Sequence, residues 1–305
     1  MRVLITGGAG FIGSNVADRL IEENFEVIVV DNLENGSKAN INRKAVFLNY
    51  DICDRKLYGK IRKLGKLDAA IHNAALIKAN ESFLEPEKYF KVNVMGTLNL
   101  LECVKNTGLS KFIFASSGGA VYGEQNTFPS TELSKTNPIN PYGASKLIAE
   151  KCILECCKGK GISPLIFRYS NVYGQRQKEG VISIFSKKIK DNQNITINGD
   201  GRQTRDFVFV KDIAELNLNS IKNKKEGIFN ASSSVETRIT DITKILESIS
   251  KKKSKVTYTK HTLNEVMRSC LDNGKAKKEF GWAPKYSLKD GIMETFNYIT
   301  KNNLS

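Results

Sequence analysis

The chain has 305 residues, 40% apolar and 26% charged, enough to bury a core without disulfide staples and too apolar for bulk disorder. No uninterrupted apolar run approaches the roughly 20 residues of a membrane helix. Met1-Arg2-Val3-Leu4-Ile5 leads straight into a glycine turn without a signal-peptide pattern, so a cytoplasmic protein with no membrane span is expected. Lys plus Arg number 47 against 32 Asp plus Glu, a balance of +15. The excess is scattered. Its short clusters, such as Lys187-Lys188 and Lys251-Lys252-Lys253, lack interleaved aromatics and any zinc-finger, helix-turn-helix or RNP pattern, so no nucleic-acid partner is expected. The six cysteines fit neither a CxxC metal pair nor a secreted ladder, and the two histidines, His72 and His261, are far apart. Free thiols and no metal are the expectation.

The first half alternates strand and helix patterns. Apolar runs predict strands at Val3 to Thr6, Glu26 to Asp31, Val46 to Asp51, Leu67 to Asn73, Lys111 to Ser116 and Leu165 to Arg168. Helical spacing falls at Phe11 to Glu23, Glu87 to Thr107 and Tyr142 to Lys158. Strand, helix, strand at this spacing reads as βαβ units closing into a parallel sheet, and continuous rather than alternating apolar runs suit strands covered on both faces. The expected fold is α/β, a doubly wound parallel sheet of Rossmann type with a smaller, interleaved α/β lobe. After Asn171 the rhythm loosens. Helices are predicted at Val181 to Lys190, from Lys211 or Asp212, at Thr240 to Ser250 and at Gly274 to Phe280. Short strands are predicted at Ile195 to Ile197 and Phe207 to Val210. Ser287-Leu288-Lys289-Asp290 reads as a capping box for the last helix. The expected division is a dinucleotide-binding domain over 1–172, with 204–238, and a second lobe over 173–203 and 239–305.

Gly7, Gly10 and Gly13 sit between the first strand and the first helix. Glycines at this spacing let the backbone turn tightly and approach a pyrophosphate at the helix N-terminus. Phe11 and Ile12 lie in the same turn. Asp31 ends the second strand, where its carboxylate suits a ribose diol and repels a 2′-phosphate. No arginine follows in Asn32-Leu33-Glu34, so NAD is favoured over NADP. Asp51 ends the third strand and either meets the adenine amino group or is a plain turn residue.

Tyr142 and Lys146 stand at i and i+4 on one predicted helix. A lysine placed there should lower the phenol pKa toward the operating pH and let Tyr142 act as general base.

Together these patterns resemble the extended short-chain dehydrogenase/reductase family, over almost the whole chain. The stretches that carry the resemblance are Thr6 to Gly13, Asn93 within Val92 to Thr97, Ser116 to Gly123, Tyr142 to Lys146, Arg168 to Gly174, Gly201 to Phe207 and Phe280 to Pro284. Within the family the chain is most similar to the UDP-glucose 4-epimerase group. The resemblance implies bound NAD, a UDP-sugar substrate and 4-epimerisation through a transient 4-keto sugar. UDP-glucose/UDP-galactose is the expected pair, and UDP-GlcNAc/UDP-GalNAc a further one. It implies cofactor contacts also from Asn32, Asp51, Ile52, Ala74, Ala75 and Asn93, with Tyr142 and Lys146. It places Asn171 and Arg205 on the nucleotide sugar and Arg268 on its diphosphate, unless Arg268 is an ordinary surface arginine. It also implies a homodimer through the helices carrying Asn93 and Tyr142; Leu98, Leu101 and Ile153 are apolar there but could equally face the sheet.

One departure stands out. The family's usual hydroxyl residue, four positions before the tyrosine that stands where Tyr122 does, is Gly118 here. Ser117 is expected to supply that hydroxyl, with Ser116 as second choice. Ser269 occupies a position where a bulky tyrosine in the group crowds the sugar's C2 substituent, so a serine should admit an N-acetyl group. Other reactions on this scaffold remain as alternatives: UDP-glucuronate 4-epimerisation, 4,6-dehydration, decarboxylation or reduction. The stretch after Ser117 lacks the acidic residues that the dehydratases and decarboxylases use. A non-catalytic dinucleotide sensor would have no need of Tyr142 and Lys146.

Overall fold

A computed structural model describes residues 1–260 and 266–302; His261 lies outside them. Twelve strands occur among these residues. In chain order they are β1 (Arg2–Thr6), β2 (Glu26–Asp31), β3 (Val46–Asn49), β4 (Ala69–His72), β5 (Lys111–Ser117), β6 (Ser163–Tyr169), β7 (Asn171–Tyr173), β8 (Ile195–Asn198), β9 (Thr204–Phe209), β10 (Gly227–Ala231), β11 (Glu236–Arg238) and β12 (Val256–Thr259). The central sheet runs β10-β6-β5-β4-β1-β2-β3, and every pairing in it is parallel. Strand order reverses between β1 and β4, which opens a crevice at the carboxyl ends of the strands, the ligand-binding edge of doubly wound sheets.

Both faces of this sheet are covered, as the continuous apolar strands require. Helices Phe11–Glu22 and Val210–Ile221 pack on one face, through Val16, Leu20, Ile213 and Leu216. Helices Lys56–Lys63, Gly96–Val104 and Pro141–Cys157 pack on the other, through Leu57, Ile61, Leu100 and Ile153. A third core belongs to the later elements and joins Phe185, Ile195, Phe207, Phe209, Leu246 and Ile292. Two small sheets border it, β11-β9-β7 and β12-β8. Residues of 204–238 are shared: β9 lies in a small sheet, while β10 is the edge strand of the large one.

Several elements differ from the sequence expectation. The helix predicted over Glu87 to Thr107 is broken into Pro86–Phe90, a π-helical turn at Lys91–Met95, and Gly96–Val104. The wider turn accommodates Asn93, which is 1% exposed and faces inward. The helix after β9 starts at Val210. Strands β7, β10, β11 and β12 were not predicted. They are short, and their pairing partners lie far away in the chain, so local pattern carries little of them. Of the apolar residues named for a subunit interface, Leu101 and Ile153 face the sheet-side core, and only Leu98 stays outside it. The outer faces of those helices instead expose Met95 and Ile148. No helix among the described residues is long and apolar enough to cross a membrane.

Candidate active site

The glycine turn sits at the crevice. Gly7 has φ +67°, and a Cβ there would lie 2.7 Å from the Ala74 backbone nitrogen. The backbone of the turn thus touches the loop that leaves β4, an approach open only to glycine. No side chain caps the following helix at Gly10, which leaves first-turn N–H groups of Phe11, Ile12 and Gly13 for an anion. Asp31 is 8% exposed and accepts from the backbone N–H groups of Ala9, at 3.0 Å, and Leu33, at 2.8 Å. Those two donors hold the carboxylate beside the turn. Asn32 donates to Asp51 at 3.0 Å, and the Cys53 N–H donates to the other Asp51 oxygen at 2.7 Å. Neighbouring Ile52 is buried, and its carbonyl accepts from Asn99. On the far side of the crevice, Asn93 both donates to and accepts from the Leu76 backbone, at 3.0 and 2.8 Å. It also donates to Ser145 at 2.9 Å, tying the loop that holds Ala74 and Ala75 to the Tyr142 helix.

Two buried groups missed by the sequence reading support this wall. His72 spans Thr6 and Thr97 at 2.6 and 2.8 Å, and burial holds its pKa down to about 3, so it stays neutral. Asn73 has both side-chain polar atoms buried without a partner among the described residues. An orphaned amide next to the glycine turn fits a site built to receive a polar cofactor. Neither residue has a sequence signal beyond its place at the end of an apolar strand.

Ser117, Tyr142 and Lys146 converge where β5 meets the Pro141–Cys157 helix. Asn140 caps this helix, its side chain accepting from Gly143 N at 2.8 Å, and Pro141 opens the first turn. The Ser117 side chain lies close enough to the Tyr142 phenol to lower its pKa. Ser116 points elsewhere and donates to Glu150 at 2.5 Å. Of the two serines, only Ser117 therefore meets the tyrosine. The Lys146 ammonium donates to the Ala115 carbonyl at 2.7 Å and lies 4.4 Å from the Phe114 ring centre. Its effect on Tyr142 differs from expectation. Burial pushes the phenol up to about 12, with Ser117 pulling it back, while burial pushes Lys146 down to about 7. Desolvation dominates, and a lysine drawn down to about 7 has lost its charge before the phenol titrates, so the protein's own groups do not poise Tyr142 near neutrality.

The predicted substrate residues gather on the other side of the serine turn. Arg205 lies on β9, donating to the Thr204 carbonyl at 2.8 Å, and Thr204 forms a β-bridge to Arg268. Arg268 grips Glu236 with two N–H groups, at 2.5 and 2.8 Å, over the ring of Phe128. Asn171 is exposed on β7, paired in register with Phe207. Ser269 is buried, and its hydroxyl lies 3.3 Å from where a Gly119 Cβ would stand. Gly118 has a stricter reason: a Cβ there would come within 2.3 Å of Leu271. The Ser269–Leu271 segment therefore packs directly on the turn that carries Ser117. Asp206, also missed in the sequence, anchors that segment. Its buried carboxylate accepts from Ser233, Ser234 and Leu271 N–H groups.

The glycine turn, the Asp31 carboxylate and the serine, tyrosine and lysine at one crevice define a nucleotide-cofactor enzyme of the short-chain dehydrogenase type. The chain belongs to the NAD-dependent epimerase/dehydratase family, whose model matches residues 3–232. It is 44% identical over 305 residues, 99% of each chain, to a putative UDP-glucose 4-epimerase of Methanocaldococcus jannaschii. The UDP-glucose 4-epimerase of Thermotoga maritima, solved with UDP-glucose, superposes with a TM-score of 0.96 at 37% identity, covering 99% of this chain and 100% of that one. The UDP-N-acetylglucosamine 4-epimerase of Methanobrevibacter ruminantium, solved with UDP-N-acetylmuramic acid, gives 0.93 at 30% identity, covering 99% and 98%.

Proposed function

We propose that this protein interconverts UDP-hexoses that differ at C4, with bound NAD as cofactor. The observation that carries the reading is the Ser117–Tyr142–Lys146 constellation at the crevice of an NAD-binding sheet. The cofactor contacts are Gly7 to Gly13 at the pyrophosphate, Asp31 at the ribose, and Asn32, Asp51 and Ile52 near the adenine. Ala74, Ala75 and Asn93 complete the wall on the other side. NAD, when bound, supplies a hydride acceptor and donor at sugar C4 and a positive ring. Tyr142 takes the proton from the C4 hydroxyl, with Ser117 bridging the two oxygens, and returns it after the sugar has presented its other face. Lys146 anchors the cofactor side and stabilises the phenolate that this transfer needs. The lobe of residues 173–203 and 239–305 holds the nucleotide sugar, with Asn171, Arg205 and Arg268 on it.

Further parts of the reading rest on particular observations. Ser269, beside Gly119, is small where a tyrosine ring would crowd the sugar's C2 substituent, so UDP-GlcNAc and UDP-GalNAc are substrates too. Met95, Leu98 and Ile148 form the face of a homodimer, and the protein works in the cytoplasm. The test is incubation of the NAD-loaded protein with UDP-galactose and with UDP-GalNAc, resolving products chromatographically. Conversion to the C4 epimer without net NADH supports the reading. A product of altered mass, or no product from any UDP-hexose, overturns it. In Ser269→Tyr, activity on the N-acetylated pair should fall at least tenfold, on the order of a steric clash in a pocket, while the UDP-glucose pair is retained. Equal retention of both pairs would refute the gate.

A further inference from the structure

Strand β5 addresses the Pro141–Cys157 helix at successive positions. Ser117 meets Tyr142, the Ala115 carbonyl accepts from Lys146, and Ser116 donates to Glu150. The helix residues stand at i, i+4 and i+8, so they share one face. Glu150 is a fixture there. Arg168, from β6, holds its carboxylate with Nη2 at 2.6 Å and Nε at 3.0 Å, and both side chains are almost wholly buried. A buried ammonium set on one carbonyl and one aromatic face is under-compensated and tends to shed its proton. The other titratable groups around Lys146 are Tyr142 on its own helix and His72 on β4. His72 is neutral, and neither it nor Tyr142 offers a negative charge at neutral pH. Ala115 and Phe114 on β5 carry none.

We propose that Glu150 is a positioning residue: its carboxylate, clamped by Ser116 and Arg168, is the counter-charge that keeps the Lys146 ammonium charged and in place behind Tyr142. It thereby sets the pH range in which the Tyr142–Lys146 pair works. Burial draws Lys146 down, and Glu150 pulls it back up. Arg168 in turn holds that carboxylate in place with Nε and Nη2. The inference rests on the epimerase reading for its catalytic consequence.

The test compares wild type, Glu150→Gln, Glu150→Asp and the charge-neutral double variant Glu150→Gln/Arg168→Met, all NAD-loaded. Two profiles are recorded against pH: kcat/KM on UDP-galactose, and NADH affinity of the stripped protein by fluorescence. Removing the negative charge lowers the proton affinity of both Lys146 and Tyr142. Both limbs of the rate profile should move to lower pH by about one unit, a typical effect of a nearby charge. The pH at which NADH affinity weakens should move the same way. Glu150→Asp should restore the wild-type limbs. The double variant avoids a lone buried arginine and decides the matter if the single one does not fold; its limbs shift in the same direction by less. Limbs that stay in place while only the plateau falls would make Glu150 purely structural and overturn the proposal. A wild type that epimerises nothing defeats the epimerase reading, and the NADH profile then still tests Glu150.

Discussion

Arg168 pairs with Glu150 at 2.6 Å with side chains 3% and 1% exposed, whereas Arg268 pairs with Glu236 at 2.5 Å with side chains 54% and 25% exposed. Each guanidinium makes a two-pronged contact, and each pair stands beside a residue proposed for chemistry or binding. Burial separates them. The inner pair is cut off from water, so removal of one partner strands a charge in the core. The outer pair is screened and hydrated, so its arginine can exchange Glu236 for another anion at small cost. A fixed support needs the first arrangement and a reversible grip on a diphosphate needs the second.

The largest expected effect is on the inner pair. Arg168→Ala should lower the unfolding free energy by about 3–5 kcal/mol, the usual range for breaking a buried pair, as measured by urea denaturation. A loss no greater than that of Arg268→Ala would erase the distinction. Tyr142→Phe should reduce kcat on the order of 10²-fold or more while released NAD, read by mass spectrometry, stays stoichiometric. Near-normal turnover would remove Tyr142 from the proposed role. Arg268→Gln should leave the urea midpoint unchanged and raise KM for UDP-galactose on the order of tenfold, one lost charge-assisted contact. A shifted midpoint with unchanged KM would make Arg268 a structural residue.

His72 asks whether burial, with the Lys146 charge as the lesser cause, produces such effects without an ion pair. Its folded pKa, about 3, lies below its ordinary value of 6.5. Between those values the unfolded chain binds a proton that the folded chain excludes, so stability falls as pH falls through that window. His72→Gln should flatten that part of the stability–pH curve. An unchanged slope would mean that other groups, such as the buried carboxylates, dominate acid unfolding. The smallest effect is expected at Glu236→Gln, which loosens Arg268 and should lower KM by no more than about threefold.

Legibility in the sequence followed the same division between local and non-local causes. Strands β1, β2 and β5 were readable because strands buried on both faces are continuous apolar runs. The glycine turn and the Tyr142–Lys146 pair were readable because their spacing is local. Edge strand β10 and the three-residue β7 and β11 exist only through pairing with distant partners, and their sequences carry no sign of it. Glu150 lay in view, one turn past Lys146, yet an acidic residue in a helix reads as solvated until Ser116 and Arg168 are seen to enclose it. Asn73 and Asp206 depend entirely on which chain segments meet. The expectation that Lys146 would lower the Tyr142 pKa weighed charge and left out desolvation, which only the packed structure reveals.

The contact between Gly118 and Leu271 constrains how this protein can change over time. A Cβ at position 118 would come within 2.3 Å of the end of the leucine side chain, which is itself only 1% exposed. Substituting either residue alone creates a collision or a void. The two positions are thus coupled: an exchange to a hydroxyl residue at 118 asks the Leu271 side chain to move or to shrink. Because Leu271 follows Ser269 by two residues, such an exchange would reshape the substrate side of the crevice at the same moment as the serine turn.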